Sequence, residues 1–196
     1  MTFKGLPLEE LAIFLSDHLA KHGIDTVLSG GACVSIYTRN KFLSYDLDFV
    51  LLNYISRKKI VSSLKSIGFR EDGRHFRHAD TPFIVEFLAP PPSVGEEPIG
   101  KIEEIRKGGM VLKLLSPTDC VKDRLAAFYH WNDRQSLEQA ILVCLDKEID
   151  MGEIEKWSVK EGMAEKFEAF RDSLRRRASR EELVDNAADQ RKPEKK

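Results

Sequence analysis

Apolar residues at Leu8, Leu11, Ala12, Phe14, Leu15 and Leu19 form one stripe at helical spacing, and Gly23 stops it, which predicts a helix over 8–21. The run Thr26-Val27-Leu28-Ser29 then reads as a strand closed by Gly30-Gly31, with a short helix over 32–37 leaving the glycines. A second strand is predicted over 42–52. Within it Leu47 and Phe49 point into a core, and Asp46 and Asp48 share the opposite face, because a strand sends alternate side chains to one side. A helix over 55–67 turns Ile60, Val61, Leu64 and Ile67 inward and Arg57, Lys58, Lys59 and Lys65 outward, and Gly68 ends it.

Residues 69–77 read as a hairpin arm turning at Asp72-Gly73, and 81–88 as a strand carrying Ile84 and Glu86 on one face. Pro90-Pro91-Pro92 breaks the chain, a charged stretch covers 96–107, and a strand follows Gly108-Gly109 over 110–115. Ser116-Pro117 introduces a helix at Thr118, and a second helix covers 136–145. Beyond Gly152 the apolar positions thin to Ile154, Trp157, Met163, Phe167 and Phe170, enough for two short helices. The expected division is an α/β core over 1–116, a helical extension packed on it over 117–182, and a disordered tail over 183–196. The fold class is α+β: a mixed sheet flanked by helices.

Composition adds little to this. With 42% hydrophobic and 32% charged residues the chain is an ordinary globular one, and a net charge of −1 argues against a globally basic nucleic-acid binder while leaving a local basic face open. Cys33, Cys120 and Cys144 are widely spaced and odd in number, so they read as small buried hydrophobes in a reducing compartment. The first residues lack a signal pattern and no apolar run reaches spanning length, so the expected setting is cytoplasmic, with no membrane partner.

The acids change the picture. Two like charges held side by side on a strand are costly unless a cation sits between them. A strand, a Gly-Gly turn into a helix, a strand bearing Asp-x-Asp and a neighbouring strand with one further acid form the layout that nucleotidyl transfer needs. Two divalent ions are expected on Asp46, Asp48 and Glu86, one to activate the attacking oxygen and one to hold the triphosphate. Ser29, Gly30 and Gly31 would let phosphates approach backbone N–H groups at a helix start, and Ser44 would add a hydroxyl. The alternative for the aspartates is a solvated edge strand, and for Glu86 a solvent-facing position on a half-buried strand.

Leu28-Ser29-Gly30-Gly31 followed by Ser44-Tyr45-Asp46-Leu47-Asp48-Phe49 resembles the signature of the nucleotidyltransferase superfamily that includes DNA polymerase beta, and within it the small bacterial enzymes such as AbiE-type toxins. The resemblance spans roughly 24–145. It implies magnesium on Asp46, Asp48 and Glu86, a nucleoside triphosphate substrate, an acceptor hydroxyl on a transfer RNA, a protein or a small molecule, and an antitoxin partner. It also implies a phosphate-facing lysine, matched by Lys122. The branch's later Lys-Asp pair is Asn132-Asp133 here, and Phe42 stands where an arginine is common, departures that touch substrate choice rather than the metal site. The rival function is a binding protein of the same fold, with the nucleotide pocket kept and turnover lost.

Other residues have plainer readings. His75 and His78, with Asp80, lack a fourth ligand at metal spacing and read as surface residues. Trp131 beside His130 and Tyr129 reads as an aromatic cluster capping a helix against the core, with base stacking as the alternative. Arg175-Arg176-Arg177, with Arg171 and Arg180, reads as a solvated helix face balanced by local acids, with RNA contact as the alternative.

Overall fold

The computed structural model describes residues 2–189. Helix α1 (Leu8–Lys21) leads into β1 (Thr26–Ser29), α2 (Gly30–Tyr37) and β2 (Asp46–Leu51). Next come α3 (Arg57–Lys65), the hairpin β3 (Arg70–Asp72) and β4 (His75–Arg77), and β5 (Ile84–Leu88). The small hairpin β6 (Ser93–Val94) and β7 (Glu97–Pro98) precedes β8 (Ile102–Lys107) and β9 (Met110–Leu115). Four helices close the order: α4 (Pro117–Trp131), α5 (Arg134–Asp146), α6 (Met151–Lys160) and α7 (Ala164–Asp189).

Seven strands form one mixed sheet in the order β3-β4-β5-β2-β1-β9-β8. The central strand β2 pairs antiparallel with β1 and parallel with β5. Each of its inward residues, Leu47, Phe49 and Leu51, is buried, as the alternation requires. Helix α1 packs on β9 and β1, and α2 packs on β2 and is in turn covered by α4 and α5. Trp157 of α6 and Phe167 and Phe170 of α7 are buried with the sheet's core residues in one cluster. The α+β expectation with a mixed sheet and flanking helices therefore holds.

Three expectations change. The charged stretch before Gly108 is a strand: Ile102 and Ile105 lie partly buried against the core while the charges stay outside, and β8 pairs with β9 through the Gly108-Gly109 turn. Strand β2 begins at Asp46, because Ser44 ties the preceding loop to α2 through its backbone N–H, which donates to Ser35 Oγ at 2.8 Å. The last helix is a single one reaching Asp189, so 183–189, expected in the tail, are helical, and 190–196 lie outside the described residues. Among the described residues no helix is long and apolar enough to cross a membrane.

Candidate active site

The glycine turn is set by the residue it faces. Gly30 has φ +68°, a backbone conformation that disfavours a side chain, and a β-carbon there would lie 2.3 Å from Asp48 Oδ2. The carboxylate of Asp48 thus sits directly against the first residue of α2. A β-carbon on Gly31 would approach Ser44 Oγ to 3.1 Å. Ser44 Oγ donates to the Asp46 carbonyl and accepts from the Asp46 N–H, both at 3.1 Å, which fixes the start of β2. The Ser29 hydroxyl donates to the Asp48 carbonyl at 3.3 Å from the paired strand. The structure therefore brings Ser29, Gly30, Gly31, Ser44, Asp46 and Asp48 to one place.

Strand register brings the third acid in. Asp48 pairs with Glu86 across β2 and β5, and Glu86 pairs with His75 across β5 and β4. Paired residues face the same side of a sheet, so Asp46, Asp48 and Glu86 share one face. Burial pushes the Asp48 carboxyl up to about 6, the charge of Asp46 adds to this, Arg124 opposes it, and Glu86 and Asp123 push it further up. Arg124 is thus the cation that eases the charge on Asp48, while its own hydrogen bonds go to a neighbouring acid, Asp123. Arg124 donates to Asp123 Oδ2 from Nε at 2.9 Å and from Nη2 at 2.5 Å, and from Nη1 to Gln139 Oε1 of α5 at 3.3 Å. Burial works against its charge, but Asp123 outweighs that and, with Cys120 and Asp48, holds its pKa above the ordinary arginine value.

Glu86 is drawn to its other neighbour. Its carboxylate lies 3.2 Å from Arg74 Nε and 3.3 Å from His75 Nδ1, on the β4 side. Among the described residues no three His, Cys, Asp or Glu side chains already converge as a cage for an ion. The Asp46 and Asp48 pair nonetheless suits a divalent cation: the two acids share a face, and burial beside Asp46 is what disfavours the charge on Asp48.

Lys122 is placed elsewhere. Its side chain is 5% exposed and its Nζ lies 2.6 Å from Glu153 of α6, 3.8 Å from Asp119 and 3.9 Å from Glu97 of β7. Those three acids occupy the ammonium and staple α4 to α6 and the β6-β7 hairpin. Two residues along a helix face nearly opposite ways, so α4 turns Arg124 toward Asp48 because it turns Lys122 away. The Asp123-Arg124 unit is what sequence reasoning missed, because the motif directed attention to Lys122 alone.

Other readings sort plainly. His75 bears on Glu86 rather than on solvent alone, and His78 packs edge-on against Phe3 with ring centroids 4.9 Å apart. Asp80 accepts from the Thr2 hydroxyl at 2.9 Å, so these three do not form a metal group. Tyr129 is buried and stacked on Trp157, but Trp131 is 75% exposed and caps nothing.

Comparison with known proteins places the architecture. No protein-family model matches the chain, and no curated protein matches it by sequence. Among solved structures it is similar to an antigenic nucleotidyltransferase-like protein from Paracoccidioides brasiliensis, with a TM-score of 0.52 and 15% identity over 71% of this chain and 76% of that one. It is also similar to the antibiotic-resistance factor ANT(2'')-Ia in solution, with a TM-score of 0.48 and 15% identity over 90% of this chain and 95% of that one. The crystal structure of ANT(2'')-Ia with adenylyl-2''-tobramycin gives 0.46 and 16% over 86% and 98%. The first likeness defines the fold as nucleotidyltransferase-like.

Proposed function

We propose that the chain is a Mg2+-dependent nucleotidyltransferase that moves a nucleoside monophosphate from a nucleoside triphosphate to an acceptor hydroxyl. The observation carrying this is the seat of Asp48 against Gly30, which puts an Asp-x-Asp pair beside a helix start with no side chain in the way. The acceptor oxygen bonds to the α-phosphorus, the bond from that phosphorus to the bridging oxygen breaks, and pyrophosphate leaves. Asp46 and Asp48 would hold magnesium, which supplies charge neutralisation at the phosphates and acidity at the acceptor hydroxyl. The N–H groups at Gly30 and Gly31 would face the phosphates from the start of α2, Ser29 and Ser44 hold the turn, and Arg124 would turn from Asp123 to the triphosphate, the task expected of Lys122. Glu86, released from Arg74 and His75, would take the acceptor proton. The motif resemblance favours the small bacterial branch that includes AbiE-type toxins, with a cytoplasmic setting and an antitoxin partner.

A second reading draws on the engagement of Glu86 by Arg74 and His75. If that arrangement persists with substrate bound, the protein binds a triphosphate without turning it over. Magnesium with each triphosphate in turn, read by melting temperature and by pyrophosphate release, separates the two. Stabilisation with release, lost in Asp46→Asn, supports the enzyme. Stabilisation without release supports the binder, and absence of both overturns both.

A further inference from the structure

A groove of about 200 Å³ runs between α5 and α7, lined by Glu138 and Ile141 on one side and by Ser173, Arg176, Arg177 and Arg180 on the other. Over 171–180 the chain carries five arginines, no lysine and one acid, Asp172, although its net charge is −1. Arg176, Arg177 and Arg180 are exposed, and four residues of helix put Arg176 and Arg180 about 6 Å apart along one wall. Arg176 donates to Ser173 Oγ at 3.0 Å, and among the described residues no carboxylate lies within ion-pair distance of Arg176 or Arg180. Arg177 is divided between Glu181 at 3.2 Å and Glu138 at 3.9 Å. Ile141 is 2% exposed, so the groove surface is mostly polar and dominated by guanidinium forks.

Its position relates it to the acids. Gln139, one residue from Glu138 on α5, accepts from Arg124, the cation acting on Asp48. The groove and Arg124 therefore both bear on α5, through neighbouring positions of that helix. A row of arginines suits phosphates repeated along a strand, because the planar fork binds phosphate in two-point fashion. It repels a polycationic small acceptor.

We propose that this groove binds the phosphate backbone of single-stranded RNA, and that this RNA is the acceptor whose hydroxyl reaches Asp46 and Asp48. The backbone binding stands on the groove alone; the acceptor role rests on the nucleotidyltransferase reading. Fluorescence anisotropy of a labelled single-stranded RNA, with the full chain in chelator and without triphosphate, tests the first. Three phosphate contacts give a log–log salt slope of about −2. Replacing all three, R176Q/R177Q/R180Q, is expected to weaken binding at least about tenfold and flatten the slope by about 2. Glu138→Gln removes the groove's acid and is expected to tighten binding, a change that misfolding does not imitate. No binding by the native chain, or equal binding by the triple variant, overturns the proposal. With magnesium and labelled triphosphate, the native chain is expected to label the RNA, and Asp46→Asn to bind it unlabelled. RNA bound but never labelled, while pyrophosphate is still released, overturns the acceptor role and leaves the enzyme reading standing. RNA bound with no pyrophosphate under any condition overturns the enzyme reading, and the acceptor role with it, but leaves the groove.

Discussion

The carboxylate of Asp48 occupies the space that a side chain at position 30 would take: a β-carbon on Gly30 would lie 2.3 Å from Asp48 Oδ2. One glycine therefore serves both the left-handed start of α2 and the seating of an acid eighteen positions along in the paired-strand region.

Gly30→Ala is expected to cost about 1–3 kcal/mol, because it adds backbone strain at φ +68° and displaces Asp48 at once. Gly31→Ala meets Ser44 Oγ at 3.1 Å and has ordinary backbone, so its loss of stability is expected to be smaller. Urea denaturation of both variants checks the order; an equal loss would separate the acid from the turn.

Asp48→Asn is expected to stabilise the metal-free protein at neutral and alkaline pH. The folded-state pKa of Asp48 is raised from 3.8 to about 6, so the folded chain holds this proton more tightly than the unfolded one. Its contribution is fully favourable below about pH 4 and is lost as pH rises through about 6. Each pH unit of that interval corresponds to about 1.4 kcal/mol, and partial exposure leaves an expected gain of about 1–3 kcal/mol at about pH 8 and little at about pH 3.5. Denaturation of both forms at the two pH values reads it, and a gain independent of pH would show that the Asp48 charge is not its source.

Lys122 and Arg124 are expected to separate cleanly. Lys122→Met leaves Asp119 and Glu153 without their buried cation and is expected to cost about 2–4 kcal/mol, with the triphosphate KM of the folded fraction unchanged. Arg124→Gln is expected to raise that KM several-fold instead. The opposite pattern would return the phosphate role to Lys122.

The alternation of β2 and the strand-to-helix glycines were legible because they are local: Leu47 and Phe49 are buried and Asp46 and Asp48 face away from them, as period two requires. Strand β8 was not legible, because its apolar residues Ile102 and Ile105 are separated by Glu103 and Glu104, and only pairing to β9 makes that run a strand. Trp131 was misjudged for a similar reason. Its neighbour Tyr129 takes the place on Trp157, and nothing in three adjacent aromatics tells which one packs.

Sequence alone determined which residues alternate, where the chain turns, and that two acids on one strand share a face, because these follow from backbone periods and steric allowance within a few residues. Tertiary structure decided which charges meet. Glu86 lies between Asp48 and His75 because β5 is laid between β2 and β4, and Arg124 rather than Lys122 acts on the charge of Asp48 because of how α4 is rotated against α2 and α5. Both depend on the packing of elements distant in the chain, where a rotation of two helix positions exchanges one side chain for its opposite, and no local pattern encodes that choice.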